Sequence, residues 1–561
     1  MRTALASRPK RVAAPLAATM TALALIAAGC GTSDKKDAPA ADASSVSGYI
    51  PSGALVYAEM STDTEGAQWK QIDTLAKTFP AYPELRKQMD DDLSSGDVNF
   101  DKDVKPLLGG RAAIGVLTIP TSSSASTALT TTAPSGTTVP NMPGVAEAAN
   151  DGKYVAAIEV KAGKEAEAEA LISKNATGTP TTLGSTKVYR DKDGKSYAAV
   201  VPGAILVGTT PDQIKAAIDA KAAGGAATLS GNSRFTDAIS KLPQETFAQG
   251  YIDLGQMLQV QAKDNPSLQS QAKALAMYKD MRIATSAAAE TEGGRVKGVL
   301  LGGPETPDGT TFAPTLNARV PANALFYYGL SNMQAQVAQG VQQYIASGQN
   351  PQIIDQANAA SGQMQSMLGI SLDDLKALGE KEHAIVVTPG LPYPNVAVAL
   401  QVDDPARATK TLDALRKASP TLLGQANAPA ANQQWSQVPL EGGVTGWDLP
   451  VAPSGHVTYG VDGKLALIGS SPVVLKQIQR PTQPLSDSEL YKKGFAGQPE
   501  DVTSVMWLNV GEAVRVGETA GAFKDDPEVV PNLKRVASVS GWTTGGKEQT
   551  FEVFVRLNPA K

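Results

Sequence analysis

The chain has 561 residues, with 50 basic and 55 acidic side chains, a formal net charge of −5, one cysteine and two histidines. That inventory excludes disulfides and cysteine-rich metal sites, and it weakens any triad or zinc site, because His383 and His456 stand far apart with no ligand spacing between them. The acidic balance disfavours nucleic acid or anionic lipid as the main partner, and the length suffices for two or three packed cores.

The opening MRTALASRPKR carries four basic residues and no acid, and residues 12–29 carry no charge at all. A basic start, an apolar stretch and small residues before a cut form a secretory signal. The apolar run nearly reaches the roughly 18–20 residues of a membrane span, but its abundance of Ala and Thr favours a signal that is removed. Ala27-Ala28-Gly29-Cys30 resembles the bacterial lipobox, with Ala27 where that motif usually has Leu. Cleavage before Cys30 makes this cysteine the mature N-terminus, thioether-linked to diacylglycerol, and two acyl chains hold a protein stably on a membrane. The competing reading is a soluble secreted protein with a chance cysteine.

Residues 1–29 are therefore read as a lipoprotein signal peptide. Without them, 46 basic and 55 acidic side chains remain, a balance near −9. Residues 30–48 are small, polar and charged, and cannot bury enough surface to order themselves, so they form a flexible tether. The expected location is the outer face of a bacterial cytoplasmic membrane.

Beyond the tether the chain repeats itself. IPSGALVYAEMS (50–61) matches VPANALFYYGLS (320–331), and FDKDVKPLLGGRAAIGV (100–116) has a looser counterpart in LDDLKALGEKEHAIVV (372–387). YVAAIEV (154–160) matches NVAVALQV (395–402), ILVGTTPDQIK (205–215) matches ALIGSSPVVLK (466–476), and PQETFAQGYIDLG (243–255) matches PEDVTSVMWLNVG (499–511). These five blocks keep their order, with offsets falling from 270 to 256. The chain is read as two copies of one domain, residues 49–303 and 318–561, joined by a linker at 304–317.

Within each copy strand and helix periodicities alternate. ALVYAEM, RAAIGVLTI and KYVAAIEV read as strands and KEAEAEALISK as a helix. TKVYRDKDGKSYAAVVPGAILVGT is a three-strand meander punctuated by D-x-D-G and P-G. TTPDQIKAAI and SSPVVLKQI each begin a helix with a hydroxyl cap and Pro at the first helical position. RIATSAAAETEGGRVKGVLLG and RVASVSGWTTGGKEQTFEVFV read as hairpins over Gly-Gly. The fold class is α+β, a mainly antiparallel sheet in each copy with helices packed on one face. Residues 121–144 form a hydroxyl-rich low-complexity loop in the first copy, and GQANAPAANQQ (424–434) interrupts the second.

At DVKPLLGGRAAIGV, preceded by IPSGALVYAEMS and followed by GAILVGTTPDQIKAAIDA, the chain resembles the bacterial secreted or lipoprotein family known as domain of unknown function 3352. Leu107 stands where that family favours Trp. The resemblance implies an envelope location and a modular α+β fold, and brings no activity, substrate or site residue with it.

Candidate sites are few. Asp97, Asn99, Asp101 and Asp103 alternate like the first half of a calcium loop, but Lys102 occupies the glycine position and Leu108 the closing glutamate position. A solvated acidic turn is the simpler reading. DGKS at 193–196 lacks the glycine of a phosphate loop and sits in a hairpin, and SQAK at 270–273 has no accompanying K-T-G. His383, entering the apolar run of GEKEHAIVV, reads as a strand-edge residue, and His456 as following a turn. Tyr57, Tyr251, Tyr327, Tyr328 and Trp507 fall at matching places in strands, either as core or as an aromatic line beside a cleft.

The sequence thus supports a lipoprotein with Cys30 as its lipidation site and with no assigned catalytic, cofactor or metal residue. Its expected partners are the membrane, through the anchor, and an apolar or glycan envelope ligand or a protein. No cofactor and no nucleic acid are expected. The rival is an envelope hydrolase with an Asp/Glu site, which needs two carboxylates roughly 5–10 Å apart in a cleft.

Overall fold

The computed structural model describes residues 46–93, 98–118, 153–264, 276–307, 309–336, 369–425, 434–451, 455–524 and 527–559, with isolated positions between them. Cys30, most of the tether, Asp97, SQAK at 270–273 and residues 426–433 lie outside the described residues. Of the loop at 121–144, only Thr131–Thr132 and Thr138–Val139 are described, two short strands that pair with each other.

The chain forms two compact units that part between Gly303 and Pro304. Unit 1 contains β1 (Val56–Ser61), β2 (Leu108–Thr118), β3 (Lys153–Val160), β4 (Ala176–Leu183), β5 (Thr186–Asp191), β6 (Tyr197–Val201), β7 (Ala204–Gly208), β8 (Ala248–Ile252), β9 (Arg282–Glu290) and β10 (Gly293–Leu301). Its helices are α1 (Ala67–Ala76), α2 (Tyr82–Leu93), α3 (Glu165–Lys174), α4 (Pro211–Ala223), α5 (Ser233–Ser240) and α6 (Leu254–Asp264). The strands pair antiparallel in the order β10-β9-β8-β1-β2-β3-β7-β6-β5-β4.

Unit 2 contains β11 (Phe326–Ser331), β12 (Glu382–Thr388), β13 (Asn395–Gln401), β14 (Ser436–Pro439), β15 (Thr445–Val451), β16 (Gly455–Asp462), β17 (Leu465–Gly469), β18 (Ser504–Leu508), β19 (Val536–Thr543) and β20 (Glu548–Leu557). Its helices are α7 (Leu372–Ala377), α8 (Pro405–Gln425), α9 (Pro472–Gln479), α10 (Glu489–Gly494), α11 (Val510–Ala520) and α12 (Val529–Leu533). Here the antiparallel order is β20-β19-β18-β11-β12-β13-β17-β16-β15-β14, the order of unit 1 strand for strand. The protein is α+β.

The expectation of helices on one face is corrected. In unit 1, Ile214 and Ala217 of α4 and Phe235 of α5 pack with Ala113, Val155, Ala157 and Leu206. Ala168 and Leu171 of α3 pack with Val160, Val200 and Ile205, which alternate with that first set and so lie on the opposite face. Unit 2 does the same, with Val474, Leu475 and Ile478 of α9 on one face and Ala408 and Leu412 of α8 on the other. The reason is legible in β3, where Tyr154 to Ile158 are buried consecutively. A strand covered on both sides has no polar face, so alternation is lost.

Matching details fix the two units. Gln213 Oε1 accepts from the Thr209 and Thr210 amides (2.6 and 3.2 Å) at the start of α4, and Ser471 caps α9 by accepting from Val474 N. Pro211 and Pro472 take the first helical positions, where no amide donor is required. The segment before β1 pairs with the chain near Leu229, whose amide donates to Ile50 O (2.7 Å), and Leu485 N donates to Val320 O at the same distance in unit 2. Val46 and Leu316 are already buried, so packing begins within the segments expected to be tether and linker.

Each unit is centred on an aromatic trio. Tyr57 and Tyr251 face each other across β1 and β8, and Phe235 of α5 meets both rings edge-on at 5.1 and 5.2 Å. Tyr327 and Trp507 face each other across β11 and β18, with Tyr491 of α10 at 6.5 and 5.4 Å. All six side chains are buried, so these aromatics form core rather than the wall of a cleft.

Candidate functional site

The open face of unit 1 carries a trough of about 270 Å³ along β1, β8 and β9, with Val296 of β10 at one side. Register explains it. One rung across these strands is Val56, Ile252, Ile283 and Leu300, and another is Met60, Ala248, Ala287 and Val296. The rung between them is Ala58, Gly250, Thr285 and Gly298. Small residues between two rungs with bulky ends leave a hollow that runs across the strands. Gly250 is required there, because a Cβ at that position would meet Thr285 Oγ1 at 2.8 Å. Val260 of α6 packs on Leu55, Val56, Val116 and Ile252 and closes the Val56 end.

In unit 2 the equivalent rung is Tyr328, Met506, Gly541 and Val553. Tyr328 and Met506 occupy the space that Ala58 and Gly250 leave open. The two units therefore share a scaffold and differ at this rung. Ala58, Gly250, Thr285 and Gly298 carry no functional signal of their own in the sequence. The signal was a coincidence of small residues on four strands, visible only once the strands are in register.

The residues singled out in the sequence do not assemble into a site. Asn99 caps the helical turn Phe100–Val104, its side chain accepting from Lys102 N (3.0 Å) while Asp103 Oδ2 accepts from Asn99 N (2.7 Å). Among the described residues no three acidic, His or Cys side chains are grouped to hold a metal. DGKS forms the β5–β6 turn, with Gly194 at φ +70°. His383 is buried in β12 between β11 and β13, where burial lowers its pKa. His456 lies in β16, and its Nδ1 is 2.9 Å from Asp448 Oδ2.

The buried carboxylates all have partners. Glu59 accepts from the Tyr57 hydroxyl (2.5 Å) and from Arg111 Nη1 (3.0 Å). Asp253 takes a two-pronged contact from Arg234 Nε and Nη2 (2.8 and 2.9 Å), the geometry that suits a guanidinium and a carboxylate. Asp448 accepts from Thr458 Oγ1 at 2.6 Å.

Glu382, at the start of β12, receives the Thr315 amide on both oxygens (3.0 and 2.9 Å), Thr315 Oγ1 (2.6 Å) and the Leu316 amide (2.9 Å). It thereby ties the entry of unit 2 to its sheet. Burial pushes this carboxyl above the usual glutamate value, against the opposing hydrogen bonds from Thr315 and Leu316. A carboxyl with a higher pKa folded than unfolded favours folding at low pH, and that contribution is lost as pH rises from the unfolded value through the raised one.

Two outcomes are expected. Glu382→Ala costs about 1–3 kcal/mol because the two amides lose their acceptor. The stability of Glu382→Gln relative to the natural chain improves as pH rises above the ordinary glutamate value, where the natural carboxyl must ionise in its buried site. Urea unfolding below and above that value checks both.

The fold and trough define a class of protein, a two-unit antiparallel α+β chain whose unit 1 carries an apolar hollow on its sheet and, apart from it, a more polar cleft of about 490 Å³ beside Thr62, Glu65, Asp101 and Lys161. The chain belongs to the family described as "Protein of unknown function (DUF3352)", whose model matches residues 12–550. Comparison with curated proteins finds no match. Among solved structures, crystal form III of TP0453 is similar over 47% of this chain and 82% of that one, at 11% identity and a TM-score of 0.24. Crystal form IV of TP0453 covers 46% and 80%, at 10% identity and a TM-score of 0.23. No helix among the described residues is long and apolar enough to cross a membrane.

Proposed function

We propose that this chain is a bacterial envelope lipoprotein, held at the outer face of the cytoplasmic membrane by diacylglycerol on Cys30, that binds an apolar ligand in unit 1. Its body is two tandem copies of one domain, a reading supported by the five ordered sequence blocks and the shared ten-strand order. The first copy is the binding copy and the second is its filled counterpart. The observation that carries the binding role is the trough itself. A concave, mostly apolar hollow whose middle rung carries a single hydroxyl, Thr285, suits a ligand recognised by shape and burial rather than by charge. Its volume suits a segment of a single acyl chain.

Uptake of a fluorescent fatty acid tests the binding role. Ala58→Phe fills the middle rung, and probe affinity is expected to fall at least about tenfold, the equivalent of roughly 1.4 kcal/mol. Thr285→Val preserves the shape and is expected to bind as the natural chain does. Equal binding by Ala58→Phe, with its unfolding midpoint unchanged, contradicts the assignment.

A further inference from the structure

A second apolar feature lies in unit 2, at the turn joining β12 to β13, and it is independent of the trough. Leu391 and Tyr393 are 72% and 73% exposed, more than any other large hydrophobic side chain among the described residues. Val396, three residues beyond Tyr393, and Val473, at the start of α9, are also exposed, at 44% and 56%.

The turn is braced rather than loose. Asn395 Nδ2 donates to Pro389 O (3.2 Å), and Asn395 Oδ1 accepts from Ser471 Oγ (2.9 Å). Val396 N donates to Ser470 Oγ (2.9 Å), and Ser470 N to Val396 O (2.8 Å). The Ser-Ser pair that opens α9 thus also fixes the turn, and the two apolar side chains are held outward with little ordering left to lose on contact.

We infer that this turn is a membrane-contact tip, with Leu391 and Tyr393 entering the interfacial layer of a lipid bilayer. Three features favour lipid over a protein pocket. Residues 384–402 contain no charged side chain, so the turn and the strand residues flanking it bring no charge of their own to be transferred out of water. Three of the six turn residues, Pro389, Pro392 and Pro394, have no amide hydrogen, and the Pro389 carbonyl is satisfied by Asn395, which reduces the backbone groups to be desolvated. A tyrosine beside a leucine is the pairing that interfacial anchoring uses, an amphipathic ring at headgroup level and an apolar chain below it. The sequence outside the described residues adds a lipobox-like Cys30, which would keep the body close to a bilayer. The tip is uncharged and the body acidic, so the contact is apolar and insensitive to salt.

The chain with Cys30→Ser and without residues 1–29 has no thiol and no apolar signal run, so Tyr393→Cys in that background takes a single nitrobenzoxadiazole label. A control label is placed at Lys547→Cys, a side chain 83% exposed in the β19–β20 turn. With phosphatidylcholine vesicles, the tip label is expected to shift to the blue and to be quenched by spin-labelled acyl chains, while the control does neither. Leu391→Ser with Tyr393→Ser in that truncated Cys30→Ser chain is expected to reduce co-sedimentation with the vesicles about tenfold or more. Both positions are solvent-facing, so the unfolding midpoint is expected to stay unchanged. A tip label that keeps its aqueous spectrum in excess vesicles overturns the inference, and so does undiminished sedimentation of the double variant. A label that shifts without vesicles as protein concentration rises also overturns it, and makes the tip a contact between copies of this chain.

Discussion

Trp507→Ala is expected to destabilise unit 2 by about 3–5 kcal/mol, the largest loss from any single truncation proposed for this protein. Trp507 is buried at 1% exposure in β18, with Tyr491 at 5.4 Å and Phe495 at 6.3 Å. Gly494 approaches so closely that a Cβ there would lie 2.9 Å from the indole Cζ3. The hole left by alanine cannot collapse, because β18 is held in register by β11 on one side and β19 on the other. Trp507→Phe keeps most of the volume and loses an indole nitrogen that has no partner among the described residues, so about 1–2 kcal/mol is expected. Guanidinium unfolding followed by circular dichroism measures both. Similar stability for Trp507→Ala and the natural chain would mean that the trio is not the centre of its core.

On the proposed lipid anchor, Cys30→Ser is expected either to release the protein from the membrane fraction or to leave its signal peptide uncleaved. The thioether needs the cysteine sulfur, and serine offers no equivalent nucleophile at neutral pH. A stable anchor needs two acyl chains or their equivalent, so removing the diacylglycerol leaves a single tip contact that cannot hold the protein through washing. The variant either appears in the soluble fraction or keeps its signal peptide. Fractionation with intact-mass measurement distinguishes the two, and unchanged fractionation with unchanged mass contradicts lipidation.

Much of this fold was readable because its signals are local. The meander from Thr186 to Gly208 is marked by its turns, since Gly194 and Gly203 adopt positive φ where the strands reverse. The GTTP and GSSP junctions announce themselves through a hydroxyl and a proline in fixed positions. The hollow was not readable, because Ala58, Gly250, Thr285 and Gly298 come from four strands whose register the sequence does not supply. A further matched pair also escaped. Leu229 and Phe235 in LSGNSRF correspond to Leu485 and Tyr491 in LSDSELY, and in each unit they place the third aromatic of the trio. Only the leucine, the serine after it and an aromatic six residues on are shared, too little to notice without the packing. Helices on both faces were missed for a related reason. Consecutive apolar residues in a strand report double burial, but they do not say which helix covers which side.

The hollow of unit 1 is proposed to hold an apolar molecule in the protein's own envelope. Native mass spectrometry of the mature protein, extracted from its membrane in mild detergent, tests it most directly. A non-covalent apolar species is expected to accompany the natural chain and Thr285→Val and to be missing from Ala58→Phe. A natural chain without bound species, or one retained equally by Ala58→Phe, would contradict it.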